Sequence, residues 1–436
     1  MMGSHTMPDI AMAGDDVEEN RSLIDTVESV DALNARFYTR FPYPRPPVKF
    51  DRLVDPRLQV TMLNQDVGDW RHTTVPAEAR IWVAGCGTNQ AIFTAMRFPL
   101  ATVLGSDTST EALQVCARNA EQLGLANLRL RHESINSVEY RDEFDYIICT
   151  GVIHHNADPE RALSRLSAAL RAPGVLELMV YNRFHRIKTS AFQRAVRILT
   201  GCSGASDFEE DLRIARMLLD GFAESGSMRE LLGPFRDAHE SMLADALVQP
   251  VEQSFTVESL NALVEACGLQ IILPCVNQFD EVRETFWWNM TFNQPALRER
   301  YDALPDVQRW QVTNLLCLES SPGLWFYVRR RTVDGARQSE RDIVEGFLNT
   351  PFERTSTQQQ NYLLRGSDRY EPTPKTVAYP AHPPHESVRA IWEAARPGVT
   401  MRDVFRSLGK EISFARANAA RVLLTTTAFP HLRAGK

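Results

Sequence analysis

The chain has 436 residues, 44% of them hydrophobic and 24% charged, which is ample for two or three globular domains with a buried core. Forty-eight Lys and Arg against 55 Asp and Glu leave a net charge of −7, a balance that argues against a chain built to coat nucleic acid or an acidic membrane. Neither a bilayer-spanning apolar run nor a secretory leader is legible, and seven scattered cysteines without a C-x-x-C pair predict free thiols in a reducing cytoplasm.

Residues 1–20 are small, polar and acidic and read as disordered; 21–78 read as an N-terminal helix followed by an aromatic strap. Leu23, Val27, Val30 and Leu33 recur at helical spacing, and Phe41-Pro42-Tyr43-Pro44-Arg45-Pro46-Pro47 forbids the helix from continuing. From 79 to 182 strands and helices alternate. Ile81-Trp82-Val83-Ala84 reads as a buried strand running into Gly85-Cys86-Gly87, with further strands at 102–107, 128–131, 144–149 and 175–181. A helix at 111–123 is stopped by Gly124, and another is opened by Asp158-Pro159-Glu160, a cap followed by proline and an acidic first turn. This alternation predicts an α/β fold with a doubly wound, mostly parallel sheet.

Residues 183–270 read as a helical insertion that caps the substrate, and 271–332 as the end of the sheet, with an antiparallel strand at 324–328. The polar run 355–361 and five prolines between 371 and 386 make 333–386 read as a linker region. The remainder, 387–436, reads as a small three-helix module with Thr400 and Ser413 as caps.

The stretch Val83-Ala84-Gly85-Cys86-Gly87-Thr88-Asn89 carries the chemistry. Glycines after a strand allow a sharp turn and close approach of a ligand to the main chain. Asp107 ends the next strand, where a carboxylate accepts hydrogen bonds from a ribose diol. Gln90 stands where a dinucleotide fingerprint requires Gly or Ala, so a nucleoside ligand without a pyrophosphate fits better than NAD or FAD.

The chain here resembles the class I S-adenosylmethionine-dependent methyltransferases. The resemblance is carried by Ala84-Gly85-Cys86-Gly87-Thr88, by Gly105-Ser106-Asp107-Thr108-Ser109, by Phe144-Asp145-Tyr146-Ile147 leading into Gly151-Val152-Ile153-His154-His155, and by Pro173-Gly174-Val175-Leu176. It covers residues 79–182. It implies a seven-stranded Rossmann-like sheet, S-adenosyl-L-methionine as cofactor, and methyl transfer. On the matching positions, Gly85, Cys86, Gly87 and Asn89 border the methionine moiety and ribose, and Asp107 with Thr108 holds the ribose hydroxyls. Glu133, Ser134 and Ile135 stand beside the adenine, while Thr150 and Gly151 form the floor under the donor sulfur. Tyr38, with Tyr43, closes over the sulfonium; the plainer alternative is that these aromatics seal the sheet edge. Two positions depart from the family pattern: Val83 replaces an acidic residue and Asn89 a glycine.

Catalytic candidates are His154 and His155 after the fourth strand and Tyr181 after the fifth, as base or orienting groups, with backbone hydrogen bonding as the ordinary role of such a histidine pair. Asn182, Arg183, His185, Trp287 and Trp288 are candidate contacts to the acceptor; a solvated basic loop and buried core tryptophans are the plainer alternatives. No metal-binding pattern is legible. Nine Lys or Arg against four acidic residues in 385–436 suggest a protein partner or homodimer contact, less so a nucleic-acid reader. The expected function is a cytoplasmic methyltransferase acting on a small-molecule metabolite. Alternatives are a protein methyltransferase, use of the donor for cleavage or cyclisation, and a non-enzymatic cofactor-binding sensor.

Overall fold

The computed structural model describes residues 27–201, 207–221, 226–275, 288–331, 337–366 and 369–435. The expectations for residues 1–20 and for Trp287 lie outside these residues. The chain enters through helix Val27–Arg40, strand β1 (Lys49–Leu53) and helix Leu58–Asp66. Seven strands then build the central sheet: β2 (Arg80–Ala84), β3 (Thr102–Asp107), β4 (Leu128–His132), β5 (Phe144–Thr150), β6 (Leu170–Val180), β7 (Leu269–Pro274) and β8 (Leu324–Arg330). Their order is β4-β3-β2-β5-β6-β8-β7, with β8 antiparallel to both neighbours and the remaining pairs parallel. The expected Rossmann-like sheet of seven strands is present, and 324–328 falls in its antiparallel member.

Local chemistry explains the elements. Six of the seven β5 residues are buried, as a central parallel strand covered on both faces requires. Asp158 caps helix Pro159–Ala169 by accepting from the Arg161 amide at 2.9 Å, and Leu163 and Leu166 point into the core. Chain order reverses between β3 and β5 on either side of β2. The carboxyl ends of these three strands therefore open a crevice where ligands of such sheets bind.

The helical insertion is shorter than 183–270. Helices Arg183–Thr200, Phe208–Gly221, Ser227–Leu232 and Glu240–Leu247 share an apolar core of their own that includes Phe192, Leu212, Leu243 and Leu247. Helix Val257–Ala266 instead belongs to the sheet, burying Val257, Leu260 and Val264 before β7. The insertion also takes Phe37 from the N-terminal helix and Phe41 just after it, so that helix packs against it; the Phe37 and Phe208 rings meet edge to face at 5.2 Å.

Residues 333–386 are not a linker. They contain helix Glu340–Leu348 and strands β9 (Phe352–Arg354), β10 (Thr357–Arg365), β11 (Arg369–Pro372) and β12 (Val377–Tyr379). Strand β10 pairs with β1, more than 300 residues earlier, and with β11 and β12. Its Gln and Asn side chains suit a small surface sheet, and main-chain pairing, which carries no composition signal, supplies the order.

Helices Glu386–Ala394, Met401–Ser407 and Phe414–Thr425 follow, with Thr400 and Ser413 capping as expected, and β13 (Leu432–Ala434) returns to β9. Their core continues into Phe347 and Phe352, so this unit begins well before residue 387. It is tied to helix Leu58–Asp66: Gln65 donates to the Thr425 carbonyl at 2.7 Å, and Asp66 accepts from the Thr427 amide and hydroxyl and from Tyr327. Much of its positive charge is spent internally. Arg402 pairs with Glu345, Arg433 with Glu353 and Asp55, Arg406 with Asp403, and Arg421 is buried beside Asn418. Among the described residues no helix is long and apolar enough to cross a membrane.

Candidate functional site

The turn after β2 is built by main-chain constraints. Gly85 has φ +71° and Gly87 φ +53°, values that favour glycine. A Cβ on Gly85 would lie 2.4 Å from Val152, and one on Gly87 would lie 2.7 Å from the Tyr43 carbonyl oxygen. The Gly85 and Cys86 amides donate to the Ser106 carbonyl at 2.8 and 2.9 Å, welding the turn to β3. Asp107 is held by the same welding: its Oδ2 accepts from the Gly87 amide and its Oδ1 from the Ser109 amide, each at 2.8 Å. Burial pushes its pKa up, against the opposing pull of these amides.

Asn89 explains its own departure from the family pattern. Its amide donates to the Arg45 carbonyl at 3.1 Å, and Thr88 donates to the Pro44 carbonyl. The glycine turn thereby clasps the strap. Gln90 donates to the Thr150 hydroxyl at 2.6 Å and joins the turn to the end of β5.

Helix Val27–Arg40 lies across the crevice and presents Asp31, Asn34 and Tyr38 along one stripe. Asp31 accepts from Ser134 and, at 3.0 Å, from Asn136. Asn34 donates to the His155 carbonyl at 2.7 Å and accepts from Gln249 at 3.1 Å. Tyr38 donates to Asp245 Oδ1 at 3.0 Å. Together the turn, the strap, this helix and helix Glu240–Leu247 of the insertion border a cavity of about 590 Å³.

Gly85, Cys86, Gly87, Asn89, Asp107 and Thr108 line one end of this cavity, with Glu133, Ser134 and Ile135 along the adjoining wall. Glu133 accepts from the Tyr140 hydroxyl at 2.8 Å. Thr150 and Gly151 border the cavity between the ends; Gly151 has φ +79° and no atom within 4 Å of where a Cβ would stand. Tyr38, Tyr181, His155 and Asp245 form a second cluster in the lining, and Tyr43, whose carbonyl oxygen lies against Gly87, also borders the cavity.

The two histidines part company. His154 is fully buried, stacked on Tyr181 at 3.7 Å between ring centroids, with neither ring nitrogen hydrogen-bonded and its pKa far below normal because of burial. It does not line the cavity and packs behind Tyr181. His155 does line it. Its Nδ1 lies 2.7 Å from the Val251 carbonyl, which only accepts, so Nδ1 carries the proton and Nε2 is the acceptor. Burial pushes its pKa down to about 4, leaving it neutral at pH 7.

Four further candidates stand outside the cavity lining. The Asn182 side chain is buried, capping the Phe184 amide and donating to Ser321 and the Pro322 carbonyl. His185 engages the Ser321 carbonyl at 2.7 Å. Arg183 is exposed and reaches the Ser254 carbonyl, and Trp288 packs against Phe326 in the main core. Conversely, Asp31, Asn34 and Asp245 line the cavity without having been singled out from the sequence, and Gln90, read there only as an argument against a dinucleotide, lines it as well; the i, i+3, i+7 spacing of Asp31, Asn34 and Tyr38 is the signal that was available. Among the described residues no cluster of His, Cys, Asp or Glu is arranged to hold a metal.

Residues 80–198 match the profile of a methyltransferase domain. An uncharacterized protein of Synechococcus sp. is 27% identical over 245 residues, 54% of this chain and 57% of the relative. The ubiquinone biosynthesis O-methyltransferase of Actinobacillus pleuropneumoniae is 29% identical over 31% of this chain and 59% of its own. The chain thus spans less than three-fifths of the length of these curated relatives. The trans-aconitate 2-methyltransferase of Deinococcus radiodurans is 38% identical over 103 residues, 23% of this chain and 38% of its own. Among solved structures, PKMT2 from Rickettsia typhi superposes with a TM-score of 0.53 at 13% identity, over 90% of this chain and 77% of that one, a likeness of fold.

Proposed function

We propose that this chain, a class I S-adenosylmethionine-dependent methyltransferase, transfers the donor's methyl group to a small acceptor bound in the same cavity. The observation that carries this reading is the single cavity of about 590 Å³ joining the Gly87–Asp107 end to the Tyr38–Tyr181 end. Small-molecule sites are typically roughly 300–1,000 Å³, so the space suits a nucleoside donor and a modest acceptor side by side.

The residues present fit the donor. A backbone-held carboxylate ends β3, the glycine turn leaves the main chain open to close approach, and no atom stands within 4 Å of a Gly151 Cβ position. When bound, S-adenosylmethionine supplies an electrophilic methyl on a sulfonium sulfur. Asp107 is suited to the ribose hydroxyls, and Glu133, Ser134 and Ile135 to the purine. Thr150 and Gly151 are suited to the region under the reacting end. What the chain itself contributes is placement and dryness: helix Val27–Arg40 roofs the cavity, and tyrosines hold the acceptor end. His155, neutral with Nε2 free to accept, is the group suited to orient an acceptor proton.

Calorimetric titration with S-adenosylhomocysteine tests the donor end. Asp107→Ala is expected to weaken binding by about 1–3 kcal/mol, the cost of losing charge-assisted hydrogen bonds. Unchanged affinity contradicts the assignment. Incubation with S-adenosylmethionine and acceptor should release S-adenosylhomocysteine together with a methylated product; methylthioadenosine without one would indicate cleavage of the donor instead.

A further inference from the structure

We infer that the acceptor is a protonated amine, seated against Asp245 and the oxygens of Tyr38, Tyr43 and Tyr181. This rests on the methyltransferase reading of the cavity and names the chemistry of its second occupant.

The first observation is the sign of the lining. Asp31, Asp107, Glu133 and Asp245 border the cavity, and among the described lining residues there is no Lys or Arg. Three of these acids are occupied. Asp31 is bonded to Ser134 and Asn136, Asp107 to the Gly87 and Ser109 amides, and Glu133 to Tyr140. Asp245 differs: Oδ1 accepts from Tyr38, while Oδ2 has no hydrogen-bond partner among the described residues although the side chain is only 8% exposed.

The second observation is that the nearest cation is already spent. Arg186 pairs with Glu252 through Nε at 2.7 Å and through a second contact, donates to the Ala246 carbonyl, and lies 4.3 Å from the centre of the Tyr181 ring. Glu252 opposes the pull of Arg186 on Asp245, so the Asp245 charge is only partly offset in a buried setting. A buried carboxylate without a counter-charge is costly, and a ligand cation removes that cost.

The third observation is the shape of the surround. Tyr38, Tyr43 and Tyr181 come from the roof helix, the strap and the end of β6, and all three phenols feel the Asp245 charge. Tyr181 is stacked on His154 and lies under Arg186, so it offers the cavity its hydroxyl more than its ring face. Tyr38 gives its proton to Asp245 and keeps an oxygen lone pair. A carboxylate with phenol oxygens around it matches the three N–H donors of an ammonium, whereas a carboxylate or phosphate would meet only repulsion. Before methylation the ammonium gives one proton to Asp245 Oδ2: the cation becomes a neutral amine with its lone pair free, and the carboxylate becomes a carboxyl.

The test uses the full chain saturated with S-adenosylhomocysteine and titrated calorimetrically with four probes. These are n-butylammonium chloride, Nα-acetyl-lysine N-methylamide, 1-pentanol and sodium butyrate. An ammonium probe should bind at least about tenfold more tightly than the alcohol or the anion. Asp245→Asn should remove that preference with the affinity for S-adenosylhomocysteine unchanged, and Tyr38→Phe should reduce it severalfold. Preference for butylammonium points to a free amine and preference for the lysine amide to a protein side chain; either supports the proposal. Equal binding of pentanol and ammonium, or an ammonium preference that survives in Asp245→Asn, overturns it. Failure of S-adenosylhomocysteine to bind removes the underlying reading, whereas failure of the ammonium probes alone on protein that binds it overturns only this one.

Discussion

The two ends of the cavity are made in different ways. At the donor end, Gly85, Gly87, Asp107 and Ser109 lie within 25 residues and are held by main-chain amides that donate to the Ser106 carbonyl and to the Asp107 carboxylate. At the acceptor end, Tyr38, Tyr43, Tyr181 and Asp245 span more than 200 residues and meet only because four separate elements converge. A local construction keeps its geometry as long as its strands pair. An assembled one depends on packing throughout the insertion, and its chemistry can change without disturbing the donor end.

Substitutions can break or sharpen that contrast. Gly85→Ala should have the largest effect, since the methyl meets Val152 and the backbone stays at positive φ. A strain of about 3 kcal/mol would lower S-adenosylhomocysteine affinity by about 100-fold, measured by calorimetry on folded protein. A near-native affinity would mean the turn is more compliant than its contacts imply.

Asp66→Asn probes the opposite face, where the C-terminal unit docks. Burial raises the Asp66 pKa from 3.8 to about 7, so the folded state retains a proton that the unfolded chain has lost. Its contribution to stability is therefore full below pH 3.8 and disappears as pH rises through about 7. Buried His155 and His431, both with pKa near 4, act in the opposite sense at low pH, so the difference between variant and wild type isolates the aspartate. In thermal denaturation, the stability of wild type relative to the variant should therefore be greater at pH 5 than at pH 8. This difference comes on top of a pH-independent offset from the three hydrogen bonds that Asp66 accepts. If the donor end is local, its affinity for S-adenosylhomocysteine should be the same in both proteins.

The smallest effect is expected from Asn89→Ala, which cuts one hydrogen bond to the strap. A loss of about 0.5–1.5 kcal/mol should fall on both ligands, because the strap carries Tyr43 and the turn carries Gly87. Weakening of one ligand alone would show that the ends are less coupled than this contact suggests.

The same contrast decides what was legible in the amino-acid order. The glycine turn, Asp107 and the Asp158, Thr400 and Ser413 caps are local signals, and each is found where its neighbours predict it. Asp245 sits in a helix whose other buried residues are mainly apolar, and nothing near it in the chain shows that it faces Tyr38. Strand β10 was read as linker because the β1 pairing that orders it comes from a remote segment. His154 and His155 are adjacent and chemically equal; only the stacking on Tyr181 and the bond to Val251 separate a packed ring from a cavity wall. Likewise the aromaticity of Trp288 could not tell core from pocket.

The roof helix is anchored by its greasy side to the insertion, through Phe37 and, just after its end, Phe41, and by its polar side to the sheet, through Asp31 and Asn34. Tyr38 and its partner Asp245 both ride on the insertion body. The same helix also buries Val30 and Leu33, so its hold on the rest of the molecule is apolar as well as polar. A shift of that helix would move Tyr38, one of the groups set around the second reactant, while the carboxylate and glycine turn that face the nucleoside stay where their strands hold them.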